Sequence, residues 1–474
     1  MTECPWIMHI AAVLTLLATT SPTLGLSGPP GRPNVLVLLT DDQRWDAMAC
    51  AGNPVVRTPH MDRLATEGTQ FINAFVTSSI CAASRASIFT GQYERSHGCN
   101  FNTGCLRRAQ LEQSYPALVR KAGYFTGFIG KYGVEYSPPG KPPRDVEGRE
   151  LFDRWYGFYG QGVYFPKEHS GKHLNQVMVE KARDFLASAP RDRPWCLSIS
   201  FKAPHSGDGY VGYHAEADLK PLYAEALVPY PPTANRSCFD ALPPFLRSSN
   251  ARTSYWELRF GTSEKYQATM KDYFRLVTGV DRAIGQIRRE LAVCGFDKNT
   301  AIIFLSDNGD MHGDYQLGGK ELLYDASIRI PMIVLDPRVP ASARGQRRSE
   351  LVLNLDVAPT VLDLACVRVP PAMQGTSVVP LVRGERPGWR EDFFCENHFA
   401  VPEQPYPLIE GVRTTRWKYM RYPEIKPQCE QLFDLANDPV ETADLVHTPR
   451  CQATLAALRS RCDRLRTEAA SRTP

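Results

Sequence analysis

Four short apolar runs, each ending abruptly in polar residues, constrain this 474-residue chain more than any other feature. Val35 to Leu39 runs into Thr40-Asp41-Asp42, and Phe125 to Ile129 into Gly130-Lys131. Cys196 to Phe201 runs into Lys202-Ala203-Pro204-His205, and Ala301 to Leu305 into Ser306-Asp307-Asn308-Gly309. Helix-like stretches lie between them at Met61 to Glu67, Ser114 to Ala122, Leu174 to Ala189 and Thr269 to Ala292. Apolar runs of this length separated by helices predict an α/β fold: a mostly parallel central sheet flanked by helices. Ligands of such sheets sit beyond the carboxyl ends of the strands, so the four polar clusters are predicted to converge on one site.

The composition supports a large core, with 43% hydrophobic and 22% charged residues, and excludes overall disorder. A net charge of only +4 argues against a nucleic-acid partner or an anionic membrane surface. The apolar run Trp6 to Ala18 is too short to span a bilayer and is followed by the turn-rich stretch Thr19 to Gly31. It reads as a signal peptide over residues 1–25, although its leading segment lacks Lys and Arg. The protein is therefore expected to be exported (secreted, periplasmic or lysosomal according to the host), with no membrane span in the mature chain.

After about Pro380 the texture changes. Glu410 to Tyr422 reads as an alternating strand, Gln431 to Leu435 as a short second one, and Thr454 to Ala469 as a closing helix. This predicts a catalytic domain over residues 26–380 and a small C-terminal α+β domain over 381–474. Proline-rich stretches at Pro138 to Pro143 and Pro229 to Pro244 read as surface loops. Of the thirteen cysteines, Cys99 with Cys105, and the set Cys429, Cys451 and Cys462, are open to local bridges or to buried free thiols. Asn235-Arg236-Ser237 is the single glycosylation sequon.

Asp41-Asp42 and Asp307-Asn308 put three carboxylates and an amide oxygen at two strand ends. Crowded carboxylates repel, and a hard divalent cation resolves the repulsion. An all-oxygen set suits Ca²⁺ or Mg²⁺ better than Zn²⁺. Either pair alone is also a common turn or cap; the two together, each after a buried-looking strand, favour metal. Cys81 stands just before a helical segment with Arg85 one turn along the same face, an environment that lowers a thiol pKa. A buried small hydrophobe remains the alternative on local grounds.

The run Cys81-x-Ala83-Ser84-Arg85, followed by Thr90-Gly91, resembles the signature of the type I (formylglycine-dependent) sulfatases of the alkaline phosphatase-like superfamily. The resemblance continues through Pro33-Asn34 to Asp42-Gln43, Gly130-Lys131, Phe201 to His205, Ser306 to Gly309 with Lys320, and Asp434-Leu435-x-Asn437-Asp438-Pro439. It implies that Cys81 is oxidised to formylglycine (3-oxoalanine) by a formylglycine-generating enzyme and that the aldehyde hydrate is the nucleophile. It further implies one Ca²⁺ held by Asp41, Asp42, Asp307, Asn308 and the modified Cys81. Arg85 would act beside the metal on the nucleophile, Lys131 and Lys320 would offset charge on sulfuryl and leaving oxygens, and His205 would bind sulfate or act as an acid. The implied reaction is hydrolysis of a sulfate ester, with a sulfated carbohydrate as substrate. The alternatives are a phosphonate monoester or phosphodiester hydrolase of the same superfamily, and a sulfated-glycan-binding pseudoenzyme.

Three positions depart from the family pattern: Ala83 for the usual Pro, Gly133 for the His of Gly-Lys-Trp-His, and Tyr315 for a common His. His312 is a candidate to compensate, although a loop histidine is the simpler reading. Lys202 and His97 are candidates to line the site, each with an ordinary structural alternative. The aromatic run Trp155 to Phe165 reads first as packing and second as a sugar platform. His169 and His173 lack the intervening Glu of a zinc protease.

Overall fold

Strand β1 (Asn34–Thr40) is buried along its whole length, and its side chains divide between two cores. Val35, Val37 and Leu39 pack into one; Leu36 and Leu38 pack into the other. The period-2 alternation of a strand puts apolar residues on both faces, so both faces must be covered. The computed structural model describes residues 31–101, 104, 106–134, 148–207, 212–399 and 407–470.

The next strands are β2 (Thr69–Phe71), β3 (Ala74–Phe75), β4 (Phe125–Lys131), β5 (Arg154–Phe158), β6 (Trp195–Ser200) and β7 (Thr300–Ser306). Then come β8 (Arg329–Ile330), β9 (Met332–Leu335), β10 (Gln346–Arg348) and β11 (Val352–Leu353). The central sheet has eight strands in the order β10-β2-β9-β7-β1-β6-β4-β5. All neighbours are parallel except β9, which runs antiparallel to β7 and β2. A minor three-stranded sheet takes β11-β3-β8. The mostly parallel, helix-flanked sheet expected from the apolar runs is what forms.

The long helix Ser263–Val293 begins six residues before the predicted Thr269, because Thr262 caps it by accepting from the Lys265 N–H. The stretch Pro229 to Pro244 is more ordered than a loop: it holds the helix Arg236–Asp240, capped by the Asn235 side chain. Pro138 to Pro143, Cys105 and the predicted signal peptide lie outside the described residues.

The C-terminal layer is a four-stranded antiparallel sheet of β12 (Asp392–Asn397), β13 (Ile409–Thr414), β14 (Trp417–Tyr422) and β15 (Cys429–Asp434). The single strand read over Glu410 to Tyr422 is thus a hairpin. The Thr414 hydroxyl accepts from the N–H groups of Arg416 and Trp417 and turns the chain there. The helix Gln452–Ala470 buries Leu455, Leu458, Cys462 and Leu465 against Phe394, Val412 and Leu432. Cys429, Cys451 and Cys462 are free thiols rather than a bridge. Residues 33–474 form one compact unit. Lys418 of β14 is fully buried within it, ion-paired to Asp325 and Glu441. Among the described residues, no helix is long and apolar enough to cross a membrane.

Candidate active site

Strand register explains why residues more than 250 apart in sequence meet. Thr40 of β1 lies opposite Ser306 of β7, so Asp41 and Asp307 leave adjacent strand ends. Leu39 also pairs with Ser200 of β6, which pairs with Gly130 of β4. Lys131 and the Lys202–His205 loop therefore arrive at the same edge, as predicted. Asp42 adopts a left-handed backbone, φ 63°, and its carbonyl accepts from the Tyr273 hydroxyl at 3.1 Å. Its N–H donates to Asp307 Oδ1 at 3.2 Å. A non-glycine residue held in this region is strained, a feature concentrated at functional sites.

One ligand atom from each of Asp41, Asp42, Cys81 and Asp307 lies within 4.8 Å of the others, and all four residues are buried. Asn308 Nδ2 donates to Asp42 Oδ1 at 2.6 Å and to the Gly309 carbonyl at 2.8 Å. Those two acceptors fix the amide orientation, which leaves Asn308 Oδ1 buried without a hydrogen-bond partner. An orphaned amide oxygen beside three carboxylates fits a hard divalent cation. Burial and the neighbouring carboxylates push Asp42 up to about 7 in spite of Lys320, and burial raises Asp307 as well. Burial acts on Asp41 too, but Lys131 and the other cations around it hold its carboxyl well below the usual range.

Cys81 opens the buried helix Cys81–Thr90. Its Sγ is 3.4 Å from Asp41 Oδ1 and accepts from Lys320 Nζ at 2.8 Å; Lys320 also bonds Asp42. Burial and Asp41 raise the Cys81 thiol far above its ordinary value, which overturns the low-pKa reading of its helix position. Arg85 is fully buried and faces the carboxylates: Nε donates to Asp307 Oδ2 at 2.8 Å, and Nη2 is 3.4 Å from Asp41. Nη1 donates to the Lys131 carbonyl at 2.9 Å and to the Ser200 hydroxyl. Lys131 Nζ bonds Asp41 Oδ2 at 2.5 Å. His205 Nδ1 donates to the Ser206 carbonyl at 2.8 Å, which puts the lone pair of the neutral ring on Nε2, 3.6 Å from Asp42 Oδ2. Burial holds this imidazole well below its usual pKa.

A cavity of about 380 Å³ opens over these groups, walled by Asp42, Cys81, His205 and Lys320. Gln161, Arg259, Asp310 and Glu321 add polar atoms to its wall, and Phe101, Tyr255 and Phe399 add ring faces. The sequence reading missed these seven. Asp310 and Glu321 adjoin recognised motifs and Gln161 lies within the aromatic run, so these were within reach; Tyr255 and Arg259 sit on the short helical segments Ala251–Trp256 and Glu257–Arg259, and Phe101 and Phe399 on irregular segments, none of which carries a pattern.

Several candidates are used elsewhere. His97 is buried against the helix Cys81–Thr90, bonded to Ser87 Oγ and accepting from the Cys99 N–H, so it does not line the cavity. His312 packs edge-on against Tyr273 behind the site, ring centroids 4.2 Å apart. Tyr315 donates to the Glu441 carbonyl. Lys202 lies under the loop with its ammonium 5.1 Å from the centre of the Tyr164 ring. Trp155 stacks on Phe128, so the aromatic run is mainly packing, as first read. His173 caps a helix and binds no metal cluster among the described residues. A Cβ on Gly133 would stand 2.5 Å from Arg85 Cδ, so the family histidine has no room here.

Two family models match the chain. One, described as Sulfatase, covers residues 33–367; the other, described as N-sulphoglucosamine sulphohydrolase, C-terminal, covers residues 313–468. An N-acetylglucosamine-6-O-sulfatase of Bacteroides thetaiotaomicron is 29% identical, over 86% of this chain and 82% of the relative. A protein solved in complex with its substrate D-glucosamine-2-N,6-O-disulfate superposes with a TM-score of 0.76 at 24% identity, over 92% of this chain and 98% of that one. The phosphonate monoester hydrolase of Agrobacterium radiobacter superposes with a TM-score of 0.78 at 22% identity, over 92% and 96%. At these identities the two solved structures speak for the fold.

Proposed function

The chain belongs to the sulfatase family of the alkaline phosphatase-like superfamily and is a sulfuric ester hydrolase. From that premise we propose that it removes sulfate from a carbohydrate, using formylglycine made from Cys81 by a formylglycine-generating enzyme, and one calcium ion. The carbohydrate substrate is supported by the sugar sulfatase among its relatives. The observation that carries the proposal is the juxtaposition of Cys81 with three buried carboxylates and the orphaned Asn308 oxygen under an open cavity. As a thiol, Cys81 is held protonated by burial and by Asp41, and a protonated thiol is a poor nucleophile.

Asp41, Asp42, Asp307 and Asn308 would hold the calcium, which supplies a Lewis-acidic centre, while the aldehyde hydrate at residue 81 supplies the attacking oxygen. Arg85 keeps Asp41 and Asp307 apart and oriented from behind, since its guanidinium is spent on them and on the Lys131 carbonyl. Lys320 reaches both Asp42 and position 81, placing a positive charge where negative charge develops on the ester oxygens. Lys131 adds a second buried positive charge behind Asp41, to which its ammonium is ion-paired. His205, neutral with its lone pair on Nε2 at the cavity wall, would accept a hydrogen bond from the attacking hydroxyl. The run Trp6 to Ala18 supports export, which the mature N-terminus of the secreted protein would report.

The test is the mass of the tryptic peptide Leu64–Arg85 from its native host, with turnover of an aryl sulfate and of a phosphonate monoester on the same preparation. The expected result is the aldehyde mass and faster sulfate hydrolysis. Unmodified Cys81 in active enzyme would sink the formylglycine route. A preference for the phosphonate would transfer the proposal to the alternative ester class.

A further inference from the structure

Gly133 brings no side chain to this site. The family pattern puts a side chain there, but Arg85 fills the space, and among the described residues none from β4 walls the cavity; Lys131, at its end, is buried behind it. Gln161, on the loop after β5, stands opposite. Its Oε1 accepts from Lys131 Nζ at 2.7 Å, and its side chain lines the cavity beside Cys81 and His205. An ammonium group can only donate, so the amide oxygen must face Lys131. The amide nitrogen, with two N–H donors, is thereby set on the other side.

The local sequence builds this presentation. Gly160 and Gly162 flank Gln161 with φ of 66° and 63°, a left-handed turn on either side that a side chain would strain. Two residues on, the Tyr164 hydroxyl donates to the His205 carbonyl and fastens the loop to the facing wall. The Leu174 N–H binds the Tyr164 carbonyl at 2.7 Å and ties the loop to the following helix. A half-buried polar residue held by a two-glycine turn and an anchored tyrosine is a built feature of the cavity wall.

We propose that Gln161 serves where Gly133 brings no side chain: its carbonyl positions Lys131, and its amide N–H groups donate to the anionic ester. It is thus a substrate-contacting residue as well as a positioning one. The neutral amide adds donors without a titrating charge, so binding of the anion through this residue is independent of pH near neutrality. The inference rests on the sulfatase reading for the identity of the anion.

Two variants separate its roles. Gln161→Ala removes both; Gln161→Glu, nearly isosteric, keeps an acceptor for Lys131 but sets a carboxylate against the ester. The measurements are kcat and KM on an aryl sulfate with the calcium-loaded enzyme, and calorimetric binding of inorganic sulfate to protein in which Cys81 is unmodified. Gln161→Ala is expected to lower kcat/KM and sulfate affinity by about 10- to 100-fold, the range for a hydrogen bond to a charged group. Gln161→Glu is expected to raise KM further and to abolish sulfate binding. Both variants within twofold of wild type in both measurements would overturn the proposal. Gln161→Glu matching wild type while Gln161→Ala falls would overturn the substrate-facing donor. Wild-type enzyme that carries the aldehyde but turns over no sulfate ester would refute the sulfatase reading instead, and the calorimetry would then decide Gln161 on its own.

Discussion

Gly133→Ala tests whether Arg85 organises the carboxylates from behind. Gly133 has φ 72°, and a Cβ there would lie 2.5 Å from Arg85 Cδ and 3.0 Å from Nε. The left-handed backbone costs an alanine about 1–2 kcal/mol. Forcing a methyl into a filled space costs about 1–3 kcal/mol more. Over the compact unit of residues 33–474, an unfolding entropy of about 2 cal/mol/K per residue converts the combined loss into a fall in Tm of roughly 2–5 °C. Ordinary contact requires the Arg85 side chain to retreat by about 1 Å, taking Asp307 and Asp41 with it, and a displacement of that size at a catalytic group costs about 100-fold in rate. Gly171→Ala is the control: its φ of 73° matches, but nothing lies within 4 Å of the added Cβ. It therefore carries the backbone strain without the collision. The assay is thermal unfolding, calcium titration and kcat for all three proteins. If Gly133→Ala melts no lower than Gly171→Ala and keeps kcat within a factor of three, Arg85 is not the strut described here.

Calcium at 100 times its Kd is expected to stabilise the protein by about 2.7 kcal/mol, visible as a Tm that falls on chelation; Asn308→Ala should lose most of that response, and a Tm indifferent to chelator would count against the site. Lys320→Met, which removes the ammonium between Asp42 and Cys81, should lower kcat by about 10²- to 10³-fold with the aldehyde still formed; near-normal kcat would remove Lys320 from the chemistry. Burial works to lower the His398 pKa, but the hydrogen bond and charge of Glu396, 2.9 Å away, raise it above its ordinary 6.5. A raised folded-state pKa gives stability that is complete below about 6.5 and fades as pH rises through the folded value. The Tm advantage of wild type over His398→Asn should therefore shrink as pH rises above about 6.5, and an advantage that grew with pH would reverse the assignment.

The sequence by itself determined the sheet and the ends of its central strands. β1 and β7 each carry five consecutive apolar residues, Val35 to Leu39 and Ala301 to Leu305, short runs that argue for interior strands; the polar residues that follow must then emerge at one edge. That argument alone placed Asp41, Asp42, Asp307, Asn308, Lys131 and His205 together, and the motif around Cys81 added the nucleophile. The C-terminal hairpin was misread as one strand because a threonine-based turn leaves no glycine or proline to announce it.

What only the tertiary structure decided is the direction in which each side chain is used. The Cys81–Arg85 spacing looked like activation of a thiol, yet burial dominates and Arg85 spends its guanidinium on Asp307 and Asp41. His97 and His312 are near the motifs in sequence but turn toward packing partners, since a helix or tight turn rotates residues a few positions apart onto different faces. Gln161 and Phe399 reach the cavity from loops, and Tyr255 and Arg259 from short helical segments, whose paths are set by what they pack against, which no local periodicity encodes. Strand ends are fixed by short-range hydrophobic pattern; the walls of a cavity are fixed by contacts between segments a hundred or more residues apart.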